Sequence, residues 1–145
     1  MTIFPMRHLF ALPILCATLV SCAAPAAPRP AATFTLERGA SVEVAPGITI
    51  TFEAVDDSRC PPGVRCVWAG KLSYRFSIRR GGDAPDTFSL SPGQPGAAPA
   101  VLGGRRVVLD DSAIPPAPAQ GTSIDYRATF TIVPPDPSST SPTIP

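Results

Sequence analysis

Few side chains in this chain carry the means for chemistry, and most of them crowd into Asp57–Gly70, which reads DSRCPPGVRCVWAG. Cys60 and Cys66 stand there with five residues between them, Arg59 and Arg65 precede them, and the single Trp of the chain, Trp68, follows. Paired carboxylates occur at Asp56–Asp57 and Asp110–Asp111, and the single lysine is Lys71. Two thiolates as a metal pair would need two more ligands, and only Asp56 and Asp57 are near in sequence. The spacing is not that of a Cys-x-x-Cys redox site, and Pro61 and Pro62 between the thiols favour a static bridge. The acid pairs have the donors for a calcium site or for proton transfer, but adjacent acids at strand ends more commonly cap turn backbone.

The single histidine is His8, near the N-terminus. Beyond it, Ser-His-Asp and Cys-His catalysis and His-based metal sites are excluded. No Gly-rich loop follows a strand and opens a helix, so nucleotide binding is not indicated. The expectation is therefore a chain without catalytic residues, cofactor or metal. An enzyme would have to run on Asp, Glu, Arg, Tyr or Ser alone.

The apolar run Leu9–Val20 follows Arg7 and His8. Twelve residues rising about 1.5 Å each span about 18 Å, too short for a bilayer core of about 30 Å. This is the pattern of an export signal over residues 1–21. Leu19-Val20-Ser21-Cys22 resembles the lipobox of bacterial lipoproteins. The resemblance implies cleavage before Cys22, lipidation of its thiol and anchoring of the chain to a membrane. Several acyl chains hold essentially permanently where one binds only marginally. The alternative is an ordinary secretory signal cut at a small residue such as Ala24, with Cys22 discarded. In a Gram-negative host, Ala23 after the anchor implies sorting to the outer membrane, and in either case the domain lies on the extracytoplasmic side.

Residues 22–32 continue as a Pro/Ala tether with too little apolar bulk to fold. Beyond Cys22 there are eleven basic residues, the twelve of the chain less Arg7, against eleven acidic ones. A balanced charge leaves no electrostatic footprint for nucleic acid and no polybasic membrane patch.

From Thr33 the apolar residues recur with period two, the mark of half-buried strands. Phe34 and Leu36, then Val42 and Val44, then Ile48, Ile50, Phe52 and Ala54 alternate with polar neighbours. After the central stretch come Leu72, Tyr74, Phe76 and Ile78, followed by Gly81-Gly82-Asp83 as a hairpin turn into Thr87–Leu90. Val101–Leu109 reads as a strand bent at Gly103-Gly104, and Ile124–Ile132 as the last strand. No window after the leader has a helical period. The expected fold is all-β: a single antiparallel β-sandwich or small open barrel of about seven strands over residues 33–133, with one short-loop disulfide. Residues 134–145, rich in Pro and Ser, read as a disordered tail.

Export places the chain in an oxidising compartment, where paired cysteines are normally bridged. Cys16 leaves with the leader and Cys22 is the anchor, so a Cys60–Cys66 disulfide follows by elimination. It makes the loop a rigid cap between two strands, with Trp68 packing on the bridge or the sheet edge and Arg59 paired to Asp56 or Asp57. Set between two amphipathic strands, Asp57, Ser58, Arg59, Cys60, Pro61, Cys66, Trp68 and Gly70 resemble a family of small exported bacterial proteins and lipoproteins with an Asp-Ser-Arg-Cys-Pro box, a second Cys and Trp-x-Gly. The Pro-rich stretch 114–118 and a final strand centred on Tyr126 extend the resemblance to most of residues 33–133. It implies a fold and a compartment, and no biochemical activity.

Function is then expected from a membrane-anchored, non-enzymatic binding or structural module of the cell envelope. Its interaction loop would comprise Asp57, Arg59, Val64, Arg65 and Trp68, and its partners would be the membrane, through the lipid, and an envelope protein. The alternative is an inhibitor of an envelope or extracellular hydrolase, a protease or a lysozyme, because a rigid loop loses little entropy on entering a cleft.

Overall fold

The computed structural model describes residues 31–135. The expected leader, the lipidation site Cys22, most of the tether and most of the tail lie outside the described residues. Among the described residues seven strands form: β1 (Ala32–Glu37), β2 (Ser41–Ala45), β3 (Ile48–Asp57), β4 (Leu72–Arg80), β5 (Asp86–Leu90), β6 (Arg106–Leu109) and β7 (Arg127–Val133). They make two antiparallel sheets, ordered β1-β7-β6 and β2-β3-β4-β5. The expected all-β fold is what the chain adopts, as the two packed sheets of a sandwich rather than a small open barrel.

The period-two pattern sets which face each strand buries. Ile48, Ile50, Phe52, Leu72, Tyr74, Phe76, Ile78 and Leu90 point inward from the four-stranded sheet. Leu36, Val107, Leu109, Ala128, Phe130 and Ile132 meet them from the three-stranded sheet. The rings of Phe76 and Phe130 join the two layers edge to face, with centroids 5.5 Å apart. Phe76 also stacks on Phe88 and leans on Phe52, each at 5.3 Å. On the outer faces, hydroxyls pair across strands at Thr33–Thr131, Thr35–Thr129 and Ser41–Thr51. Each pair satisfies both partners while leaving them wet.

Two features depart from the alternation. The β3–β4 register shifts between Phe52 and Ala54, whose partners are the consecutive residues Phe76 and Arg75. Glu53 is therefore the extra residue of a β-bulge. Before the bulge Ile48, Ile50 and Phe52 face the core; after it Val55 and Asp57 lie opposite the buried Tyr74 and Leu72. The expected inward Ala54 lies instead opposite the exposed Arg75. The corner between β1 and β2 locks onto the same place, with Gly39 N–H donating to Phe52 O (2.7 Å) and Phe52 N–H to Ala40 O (3.0 Å).

The second departure is Val101–Leu109, which does not form one strand. Ala100–Leu102 is a 3-10 turn, and the chain re-enters the sheet only at Arg106. Gly103 and Gly104, both at positive φ, end the turn and break the extended backbone. The outer edge of β6 pairs with Ala97 through two backbone hydrogen bonds with Val107 (2.7 and 2.9 Å).

The two ends of the sandwich differ in what they carry. β1 runs from Ala32, opposite Ile132, to Glu37, opposite Arg127. Tyr126, next to Arg127, reaches Asp57 at the end of β3. Residues 31 and 135 thus leave the sandwich at one end, and the β3–β4 connection crowns the other.

Candidate functional site

The β3–β4 connection holds every described residue expected to interact, and it is built from the bottom upward. Its base is closed by Ser58, whose N–H donates to Lys71 O (2.9 Å) and whose Oγ accepts from Lys71 N–H (3.1 Å). This close approach dictates glycine at position 70. Its φ is +69°, and a Cβ there would stand 1.9 Å from Ser58 O. The glycine of Trp68-Ala69-Gly70 is thus a steric requirement of the loop base.

Beneath the loop lies a polar lock. The bulge turns Asp57 inward, and its carboxylate receives both arms of the Arg59 guanidinium: Nε–H on Oδ1 (2.9 Å) and Nη2–H on Oδ2 (2.7 Å). The backbone N–H of Arg59 adds a third bond to Oδ1 (3.0 Å), and the Tyr126 hydroxyl donates to Oδ2 (2.5 Å). Arg59 Nη1–H reaches across to Pro115 O (2.9 Å), tying in the Pro-rich crossover. The side chains of Arg59 and Asp57 are 22% and 6% exposed. A bidentate pair so shielded is worth more than a surface ion pair, and four donors on one carboxylate favour its ionised form. The hydrogen bond from the Arg59 side chain holds the Asp57 carboxyl down at about 2; burial opposes this, and the Tyr126 hydroxyl assists it. Burial first, and then the bond to Asp57, push the Tyr126 phenol up to about 12. The expected pairing of Arg59 with Asp57 is present, but it is enclosed rather than exposed.

The lock removes two residues from the expected contact surface. Asp57 and Arg59 spend their polar atoms on each other, on Tyr126 and on Pro115. They hold the loop and do not present it. Tyr126 and Pro115 were not among the residues expected here. The inward phase of Tyr126 in its strand pattern was the available signal.

Above the lock, Cys60 and Cys66 form the expected disulfide, with their Cα atoms 5.9 Å apart. A loop of seven residues so closed is stabilised by about 2–2.5 kcal/mol in the chain-entropy account. Residues 62–71 are exposed without interruption. Trp68 does not pack on the bridge or the sheet edge: it is 81% exposed, and Val67 beside it is 93% exposed. Val64 is 40% exposed. Apolar type at Trp68 had suggested burial, but a short pinned loop offers no inward face to these positions. Val67 was missed for the same reason, since period two says nothing within a turn. Arg65 and Lys71 are exposed and carry no ion pair among the described residues.

Chemically the exposed part of the arrangement offers apolar surface and positive charge. An open hollow of about 540 Å³ beside the base is lined by Arg59, Lys71, Leu72 and Gln94, among others. Among the described residues, no group of three His, Cys, Asp or Glu is placed to hold a metal. The remaining acid pair serves turns: Asp110 caps Ser112 N–H (3.0 Å), and Asp111 accepts from Gly93 N–H (2.8 Å). Compared with known proteins, the chain matches no family model, no curated protein and no solved structure.

Proposed function

We propose that this chain is a bacterial envelope lipoprotein, anchored through Cys22, whose β-domain is a non-enzymatic binding module. The observation that carries the reading is the exposure of Val67 and Trp68 on a loop held by a disulfide and a half-buried ion pair. A loop so restrained loses little freedom when it binds. Its position supports the same reading, because the loop crowns the end of the sandwich opposite residue 31. A domain attached through its N-terminus keeps the Trp68 tip clear of its own attachment point. The lipobox-like Leu19–Cys22 and the lack of any histidine beyond His8 support the anchor and the non-enzymatic role.

Two measurements on the protein from an exporting bacterial host test this. Its intact mass should start at Cys22 with lipid added. A photo-crosslinker placed at position 67 should give a product that the same group at position 104, on the far end, does not. An unlipidated start beyond Cys22 removes the anchor, and equal labelling from both positions removes the loop.

A hydrolase inhibitor is the second reading, favoured by the uninterrupted exposure of residues 62–71 on a covalently closed loop. Inhibition of a protease or lysozyme that is lost in Trp68→Ala would support it. Full hydrolase activity at micromolar domain across a panel would remove it.

A further inference from the structure

We infer that the Cys60–Lys71 loop docks shallowly on an anionic phospholipid bilayer. This rests on the reading of the loop as the contact surface and names its partner.

Three apolar side chains, Val64, Val67 and Trp68, stand exposed within five residues. Single exposed apolar residues are ordinary, but a cluster at the tip of a restrained loop marks a surface that another phase covers. Trp concentrates at the membrane–water interface, where its ring meets the acyl boundary and its N–H remains hydrated.

Charge selects the kind of surface. From Cys60 to Lys71 there is no acidic residue, while Arg65 and Lys71 flank the apolar tip. The carboxylate that precedes the loop, Asp57, is paired with Arg59 beneath it. The exposed charges within the loop, Arg65 and Lys71, are therefore both cationic, and basic residues beside a membrane surface are drawn to anionic headgroups.

Shape limits the depth. The loop backbone is irregular, and unpaired peptide groups cannot enter the hydrocarbon without a large cost. Only the side chains of Val67 and Trp68 would pass below the headgroups, with Arg65 and Lys71 at phosphate level. The disulfide and the Ser58–Lys71 clamp hold the tip in place before contact, so docking orders little new chain.

Trp68 is the only Trp in the chain, so its emission reports this contact directly. The test uses residues 23–145, which lack the lipid and retain the fold, because every core residue lies between Leu36 and Ile132. Vesicles of phosphatidylglycerol with phosphatidylethanolamine should shift the Trp68 emission to the blue and protect it from iodide. Partitioning should be about tenfold or more weaker on phosphatidylcholine, and should fall steeply as salt rises from about 0.05 to about 0.5 M. Val67→Asp and Arg65→Glu should each weaken co-sedimentation about tenfold or more with an unchanged melting temperature. Unchanged emission at millimolar anionic lipid overturns the inference, as does binding that Val67→Asp leaves intact. If vesicles fail while a crosslinker at position 67 still captures a discrete protein in exporting cells, the loop remains the contact surface and the lipid assignment falls. If both fail, the loop reading falls with it.

Discussion

The phenolic oxygen of Tyr126 lies 2.5 Å from Oδ2 of Asp57, across 69 residues of sequence. This bond joins the residue preceding β7 in the three-stranded sheet to the last residue of β3 in the four-stranded one. With Arg59 bound to the same carboxylate and to Pro115 O, it closes the loop end of the sandwich with half-buried polar contacts. The exposed tip above it stands on this lock.

The lock makes stability fall in acid. The folded pKa of Asp57 is depressed from 3.8 to about 2, so its contribution is complete above pH 4 and is lost as pH falls towards 2. The shift corresponds to about 2 kcal/mol. Urea unfolding followed from pH 5 to pH 2 should show that loss in the wild type and a much flatter profile in Asp57→Asn.

Tyr126 titrates in the opposite sense. Its folded pKa is raised from 10 to about 12, so the neutral phenol stabilises fully below pH 10 and the contribution is lost between pH 10 and 12. Tyr126→Phe should abolish that alkaline decline. It should keep the edge-to-face contact with Tyr74 at 6.3 Å and cost about 1.5–3 kcal/mol at pH 7, the range for a hydrogen bond to a charged group.

Tyr74 offers a contrast. Its hydroxyl is buried with no hydrogen-bond partner among the described residues. Tyr74→Phe removes an unsatisfied polar atom and keeps the ring against Phe52 and Tyr126. Thermal unfolding should show this variant stabilised by about 1 kcal/mol, where most core changes destabilise.

Gly70→Ala should be the most damaging glycine replacement in the loop. It combines a positive φ with a clash against Ser58 O, whereas a Cβ at Gly63, also at positive φ, meets nothing within 4 Å. The conformational cost alone is about 1–2 kcal/mol, which Gly63→Ala should approach and Gly70→Ala should clearly exceed. Melting temperatures of the two variants, measured side by side, decide it.

Cys60→Ser with Cys66→Ser should cost about 2–2.5 kcal/mol and loosen the tip without dissolving the sheets. No core residue lies between Cys60 and Lys71. Amide exchange should accelerate across residues 61–70 in the double variant and remain slow in β3, β4 and β7. Slowed loop exchange, or unfolding of the whole domain, would contradict this account.

The strands were largely legible because burial of one face leaves a period-two trace. Ile48–Phe52, Leu72–Ile78 and Ala128–Ile132 all bury the residues their alternation indicated. The disulfide was legible too, because the expected export signal and the lipobox resemblance set the other two cysteines aside. The bulge at Glu53 was not, since an exposed Glu fits either register and no Gly or Pro marks the shift. The last strand begins at Arg127 rather than Ile124 because its neighbours β1 and β6 end at Glu37 and Leu109, leaving residues 124–126 no strand to pair with.

Sequence alone determined the all-β class, the pairing of Cys60 with Cys66 and the charge-balanced, histidine-free character of the domain. These follow from local alternation, residue type and counting, which do not depend on where the chain folds back. Only the tertiary structure decided which loop residues build and which present. A one-residue bulge turned Asp57 inward towards Tyr126, and a pinned turn left Val67 and Trp68 in water. Both outcomes depend on which segments meet in space, and chain order does not carry that information.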